Sequence, residues 1–477
     1  MANPFKALAS SYRQRSVDNL FQLDGAVPIS KGAPFGAQHV LALFVSNIAP
    51  ILLLFASIGT APADVVDNAI RGAAFLAAIG TAIQLFPIWR VGSKMPLYMG
   101  TSFTFIGVLS LVGSRYNLST MFISVIVGSL IAGILGLFAG KWKKAIKPIV
   151  PAMVVLGLGL SLLSVGAKDF LAIDVAGVLG PKGYDFGNAW PHLLVAAVTL
   201  ISGMIWQVFV KGVWKNIGIL VGLIAGYLAA LCFIPYNGMV DFSAFRFNSV
   251  TDFIDVPRPF FTLTSASWSD FHFGSILVVT IVCLVTSIEN LGNISSLSAI
   301  SFEREPTDRE LSGGIAATGF IGALAGFFGA LPLTGYGQNV GIVGQTKVIN
   351  RMALLTGPII LLLASLFPPI SRLLLTIPTA VLGGTVIMLF ASICLIGMQM
   401  LAKLGFTKKN IMIASLCLGL GYGVSLVTEF TGTRFEVDAV NYVMLLVGNP
   451  VVSMFLISFI LSYLIPESFN EEIKPRV

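Results

Sequence analysis

Residues Leu331–Lys347 read LPLTGYGQNVGIVGQTK, a polar stretch set between long apolar runs. Thr334, Tyr336, Gln338, Asn339, Gln345 and Thr346 alternate there with Gly335, Gly337, Gly341 and Gly344. Irregular polar backbone at membrane depth is tolerated only where it lines a cavity or is packed inside protein. Such a broken segment is the usual sequence pointer to a transporter's binding site. A second one, Met95–Phe105 (MPLYMGTSFTF), lies far upstream.

The surroundings make this a membrane question. Of 477 residues, 56% are hydrophobic and 11% charged, against roughly 25% charged in soluble domains. A span needs about 20 apolar residues. Fourteen segments are expected: Ala37–Gly59, Ala69–Trp89, Pro96–Val112, Leu118–Gly140, Pro148–Gly166, His192–Val210, Asn216–Pro235, Phe273–Gly292, Leu311–Ala330, Thr334–Val348, Met352–Ile370, Leu374–Gly397, Asn410–Val427 and Asn441–Leu464. The third and tenth are short and interrupted.

With both termini inside, most of the 29 Lys and Arg residues fall in cytoplasmic loops, as the positive-inside rule requires. The loop Tyr236–His272 is then external. The net charge of +7 is spread over these loops and gives no reason to expect nucleic acid. Cys232, Cys283, Cys394 and Cys417 lie in apolar runs without metal or redox spacing and read as small core residues. No metal or cofactor is expected. Near the N-terminus, Phe5, Leu8, Leu20, Phe21 and Leu23 alternate with Lys6, Arg13 and Arg15, a pattern that suits a short helix on the inner membrane face. His192 and His272 are placed at outer span ends.

Among 22 acidic residues, only Glu289 falls inside an expected span, in LVTSIENLGNISS beside Asn290 and Asn293. Intramembrane carboxylates are costly and usually functional.

The two broken segments align. Met95–Phe103 lies over Leu331–Asn339, with Pro96 opposite Pro332 (332 − 96 = 236), and Val150–Gly159 resembles Ile377–Val386, with Pro151 opposite Pro378 (378 − 151 = 227). Two halves of seven segments would have opposite orientations in the membrane, an architecture of inverted repeats. Each broken segment would supply an extended stretch and then a half-helix whose unpaired N–H groups carry partial positive charge. Thr101, Ser102 and Phe103 fall at one such start, and Gly337, Gln338 and Asn339 at the other. A flat polar ligand fits between them. Gln338 presents donor and acceptor on one planar amide, Glu289 accepts from ring N–H groups, and Phe103 stacks on a ring face. Tyr98 and Tyr336 are also read as core-packing residues.

These residues also carry a resemblance. Gln338–Lys347 is similar to the signature of the nucleobase–ascorbate transporters: Gln/Glu/Pro, Asn, any, Gly, four of any, Thr, then Arg/Lys/Gly. Gln338, Asn339, Gly341, Thr346 and Lys347 match it, Gln38-His39 matches the family's Gln-His motif, and Glu289 sits at its essential glutamate. The resemblance implies an all-α membrane fold of fourteen segments in two inverted repeats. Core-domain parts would lie at 37–140 and 273–370, and gate-domain parts at 148–235 and 374–464. Segments 1–36 and 465–477 would be cytoplasmic. It further implies a homodimer in the plasma (inner) membrane, elevator-type alternating access and proton symport. Gln338 points to xanthine or uric acid as substrate, with Glu289 hydrogen-bonding the nucleobase. Substrate contacts are thus expected from Glu289, Gln338, Phe103, Gly337, Ser102 and Asn339. Proton coupling or site organisation is expected from Glu289, His39, Gln38, Asn293 and Thr318. His39 enters either as a titrating group or as a neutral histidine that fixes packing. Asn293 and Thr318 depart from the family, in which purine-carrying relatives often place Asp at both positions.

Competing readings are a uracil/proton symporter, which Gln338 argues against, and an anion carrier on the same seven-plus-seven architecture, which would have little use for an intramembrane Glu. No HExxH, paired intramembrane aspartates or Ser/His pair at helical spacing suggests an enzyme. A sensor without transport would need a signalling domain, and none is present in this sequence.

Overall fold

The computed structural model describes residues 16–59, 61–173, 175, 178–180, 183–233, 239–240, 242, 253–263, 270–431 and 447–469. Phe5, Leu8, Lys6, Arg13 and Arg15, the end of the seventh segment at Pro235, most of the loop Tyr236–His272 and the start of the fourteenth segment at Asn441 lie outside the described residues. Nine helices among the described residues are long and apolar enough to cross a membrane. The count becomes ten if Arg351–Ser365 and Pro368–Leu375, bent by 77°, form one span. The chain is therefore an all-helical polytopic membrane protein.

The site rests on ten elements: α1 (Ile29–Ile58), α2 (Ala63–Leu85), β1 (Met99–Thr101), α3 (Leu118–Gly136), α4 (Ile149–Phe170), α5 (Phe273–Phe302), α6 (Asp308–Phe327), β2 (Leu333–Gly335), α7 (Gly337–Thr346) and α8 (Thr379–Leu404). Local chemistry sets several ends. Asn117 caps α3 by accepting from the Thr120 N–H, Thr307 and Glu310 form a reciprocal capping box at α6, and Pro378 precedes α8. The Asn117, Thr307 and Glu310 side chains satisfy orphan N–H groups of a helix start, whereas Pro378 caps no N–H with its ring.

β1 and β2 are the extended stretches of the two broken segments. They pair antiparallel, Met99 with Gly335, Gly100 with Thr334 and Thr101 with Leu333. The Tyr336 N–H donates to the Tyr98 carbonyl and the Ser102 N–H to the Pro332 carbonyl, both at 2.9 Å. Each strand thus satisfies the other's backbone where water is absent. Around them, helices close through small residues. A methyl group on Gly159 of α4 would stand 2.3 Å from the Cys394 nitrogen of α8, and one on Gly397 2.4 Å from the Leu156 nitrogen. Such close approach is how membrane helices gain packing energy.

Several boundaries differ from expectation. α1 begins at Ile29 rather than Ala37, with Pro34 inside its early turns. α5 continues ten residues past Gly292 to Phe302. The eleventh segment does not run straight to Ile370, because Pro368 and Pro369 start a new helix after the 77° bend. The thirteenth segment contains a π-helix at Cys417–Gly423, where glycines leave the ladder free to widen.

Glu289 is not alone among acids inside a span. α2 starts six residues before Ala69, so Asp67 lies within it. Asp67 is buried, accepts from Arg71 Nε at 3.1 Å and from Ser371 Oγ at 2.5 Å, while Arg71 reaches the Asp255 carbonyl at 3.2 Å. Asp169 likewise falls in the last turn of α4. His192 is buried and lies within the first two turns of a helix that starts at Phe186. Cys283, Cys394 and Cys417 are buried as expected, whereas Cys232 is exposed.

The described N-terminal segment docks on the start of the helix at Arg351, with Phe21 exposed. Leu20 is buried. The Ile349 and Asn350 N–H groups donate to the Leu20 carbonyl, and the Arg351 N–H to that of Leu23. Asn350 Nδ2 contacts the carbonyls of Asn19, Gln22 and Gly25 at 2.9, 3.3 and 3.1 Å. Arg351 pairs with Asp24, donates to the Leu85 carbonyl at 2.8 Å and lies over the Phe86 ring.

Candidate functional site

Glu289 sits mid-helix on α5, half-buried. Its Oε2 lies 3.3 Å from Thr104 Oγ1, which donates to it. Thr104 belongs to the 3-10 turn Phe103–Phe105 that follows β1, and Ser102 caps that turn by accepting from the Thr104 N–H. Ser102 and Phe103 are buried beside it. The Phe103 ring stands edge-on to Phe390 of α8, centroids 5.2 Å apart at 82°.

The second half-helix, α7, starts differently. No side chain caps it. The N–H groups of its first turn, Gly337, Gln338 and Asn339, have no intrahelical partner and bear the positive end of the helix dipole. Gly337 and Gln338 are exposed while Asn339 is buried. This open start can receive a carbonyl or an anionic edge of a ligand.

Behind it, Asn339 Nδ2 donates to the His39 carbonyl at 3.3 Å and lies 3.0 Å from His39 Nδ1. The carbonyl can only accept, so the amide presents its NH₂ group, and Nδ1 accepts too. The His39 ring is stacked on Tyr98 at 4.4 Å and 6°. The Tyr98 hydroxyl donates to the Leu354 carbonyl at 2.5 Å. Asn339 Oδ1 and Gln38 Nε2 are buried without a protein partner among the described residues.

A neutral polar clasp holds β2. Asn290 Oδ1 accepts from the Gly335 N–H at 2.9 Å, and Asn293 Nδ2 donates to the Gly335 carbonyl at 2.7 Å. Asn290 Nδ2 donates to Thr318 Oγ1 at 2.6 Å. β1 has a counterpart: Asn47 of α1 accepts from the Thr101 N–H at 2.9 Å and its hydroxyl at 3.0 Å. The Tyr336 hydroxyl lies 2.6 Å from both the Ser46 and Thr101 carbonyls. Tyr98 and Tyr336 are thus buried scaffold.

Of the residues expected to act together, Glu289 bonds Thr104 in the turn of Ser102 and Phe103, His39 meets Asn339 with Gln38 next to it in the chain, and Asn293 holds Gly335 directly while Thr318 reaches it through Asn290. Gln338 and Gly337 stand at the open helix start. Sequence reasoning missed Thr104, although the alignment that singled out Ser102 and Phe103 ends one residue before it. It also missed Asn47, a polar residue inside an apolar run and therefore a detectable signal.

A family model described as a permease family (Xan_ur_permease) matches residues 30–430. The chain is 30% identical over 467 residues to the xanthine permease XanQ of Escherichia coli (strain K12), covering 95% of each. It is 29% identical over 402 residues to a xanthine permease of Bacillus subtilis (strain 168), covering 84% of this chain and 86% of the relative. It is 30% identical over 393 residues to the uric acid permease PucK of the same organism, covering 82% and 86%. Among solved structures it is similar to the transmembrane domain of a cyanobacterium bicarbonate transporter, BicA, with a TM-score of 0.54, 16% identity, and coverage of 91% of this chain and 97% of that one. SLC26A9 gives a TM-score of 0.55 at 11% identity, covering 90% and 65%. At such identities these two likenesses concern the fold alone.

Proposed function

Because the chain belongs to the nucleobase–ascorbate transporter family, we propose that it imports a purine nucleobase, xanthine or uric acid, by proton symport. The observation that carries this reading is an intramembrane carboxylate on the helix whose Asn290 and Asn293 hold Gly335, two residues before an uncapped helix start. Glu289, held by Thr104, supplies acceptors for ring N–H groups. The α7 start supplies donors for ring carbonyls. Gln338 adds an amide edge, Phe103 an aromatic face, and Ser102, Gly337 and Asn339 complete the surround. An anion carrier on the same architecture would have little use for a carboxylate at the position of Glu289. A uracil carrier remains the alternative that Gln338 argues against.

Glu289 is the proton-coupling residue in this reading. His39, Gln38, Asn293 and Thr318 organise the site, since each is engaged in, or faces, its buried polar framework.

The β1–β2 register supports the inverted repeat. A two-fold axis through an antiparallel pair sets a residue opposite its own equivalent at one position, and Met99 pairs with Gly335 (335 − 99 = 236), the offset found in the sequence, while Gly100–Thr334 (334 − 100 = 234) and Thr101–Leu333 (333 − 101 = 232) fall away from it by two per step, as such an axis requires. Core parts at 37–140 and 273–370 then carry the site, and gate parts at 148–235 and 374–464 include α4 and α8. The Phe103–Phe390 contact lies where the two would slide in an elevator motion. The protein would work as a homodimer in the plasma membrane with both termini cytoplasmic.

The test is uptake of radiolabelled xanthine into cells expressing the protein, with unlabelled urate, uracil, hypoxanthine and ascorbate as competitors and a protonophore control. Saturable, protonophore-sensitive uptake blocked by xanthine or urate is expected. Equal competition by uracil, or uptake indifferent to a protonophore, would overturn the assignment.

A further inference from the structure

We propose that Asn290 is a positioning residue that sets where the open α7 start stands relative to Glu289. Its amide is fully buried and its orientation is determined by its neighbours. Thr318 Oγ1 spends its proton on the Gly314 carbonyl at 3.2 Å, so towards Asn290 it can only accept. Asn290 must therefore turn its NH₂ to Thr318 and its oxygen to the Gly335 N–H. One helical turn later, Asn293 takes the Gly335 carbonyl. The Gly335 residue is thus gripped at both its polar groups by the helix that bears Glu289.

Gly335 is the last residue of β2 and stands two residues before Gly337. A methyl group there would lie 2.8 Å from Asn290 Oδ1, so the approach requires glycine. The backbone ahead of α7 cannot drift without breaking these bonds. Asn47 holds Thr101 at the end of β1 in the same way. Each strand is thus moored by an asparagine from the helix two elements upstream of it. The Asn290 amide is committed to Thr318 and Gly335. It acts through the distance between Glu289 and the α7 start.

The inference rests on the transport reading for its kinetic arm, and a second arm is independent of substrate. Xanthine uptake is measured for Asn290→Ala, Thr318→Val and the double variant. Alkylation of Gln338→Cys, in a background lacking the native cysteines, is measured with and without Asn290→Ala. A KM rise of about ten-fold in Asn290→Ala is expected, with Vmax changed by less than about three-fold. The double variant should be no worse than Asn290→Ala, because Thr318 acts through it. The alkylation rate of Gln338→Cys should change by about three-fold or more when Asn290 is truncated. If Asn290→Ala does not reach the membrane, Asn290→Ser keeps a short acceptor and should show a smaller KM rise. Unchanged KM and alkylation rate, or additive effects of the two substitutions, would overturn the proposal. Altered alkylation in a protein that carries no xanthine would instead sink the substrate reading and leave the positioning role standing.

Discussion

Thr104 Oγ1 donates to Glu289 Oε2 at 3.3 Å, joining side chains 185 residues apart in the chain. The hydroxyl belongs to the turn after β1 and the carboxylate to α5, so this bond spans the two broken segments' surroundings. A hydrogen bond to an ionised group contributes about 1.5–3 kcal/mol. Thr104→Val should therefore raise the KM for xanthine by roughly one to two decades, while Thr104→Ser keeps the donor and stays within about three-fold of the parent. Uptake kinetics in membrane vesicles decide it. Equal behaviour of the Val and Ser variants would remove Thr104 from the site.

Glu289 is assigned two tasks, and substitutions separate them. Glu289→Gln keeps an acceptor but loses charge and titration. It should still exchange or bind xanthine weakly, yet accumulate none against a gradient. Glu289→Ala should abolish binding as well. Counterflow and net uptake in proteoliposomes distinguish the outcomes, and proton-dependent accumulation by Glu289→Ala would refute the role.

Gln338 stands exposed at the first turn of α7. Its amide can pair donor with acceptor along a xanthine edge, whereas a carboxylate can only accept. Gln338→Glu should weaken xanthine binding by about 1–3 kcal/mol, roughly one to two decades, through an unpaired polar contact. Gln338→Asn, with a shorter reach, should be intermediate. Competition assays with uracil show whether the carboxylate variant gains affinity for it. Unchanged xanthine affinity in both variants would turn Gln338 away from the ligand.

Asn350 moors the N-terminal segment through three carbonyls, while its Oδ1 caps the Ala353 N–H at 2.9 Å. Asn350→Ala leaves these buried groups unmatched and should cost about 1–3 kcal/mol. The purified protein in detergent should unfold at a lower temperature, and the peptide around Asn19–Gly25 should become cleavable by protease. A protease pattern identical to the parent's would mean that the segment is held by other contacts.

Composition and pattern by themselves determined that this chain crosses a membrane many times, that its apolar run is broken twice, and that Glu289 is an exceptional residue. Those conclusions follow from the cost of polar groups in hydrocarbon, which is a property of the residue and its neighbours in sequence. The signature at Gln338–Lys347 identified the family on the same local terms. Only the tertiary structure decided how the polar groups are satisfied. Asp67 has one partner four residues on, Arg71, but the other, Ser371, is 304 residues away. Leu20 reads as a membrane-surface residue because the carbonyls around it find their donors at Ile349 and Asn350. The clasp of Asn290 and Asn293 on Gly335, His39 behind Asn339, and Thr104 beside Glu289 are likewise pairings between distant parts of the chain. No periodicity encodes them, since hydrogen-bond partners are selected by packing in three dimensions.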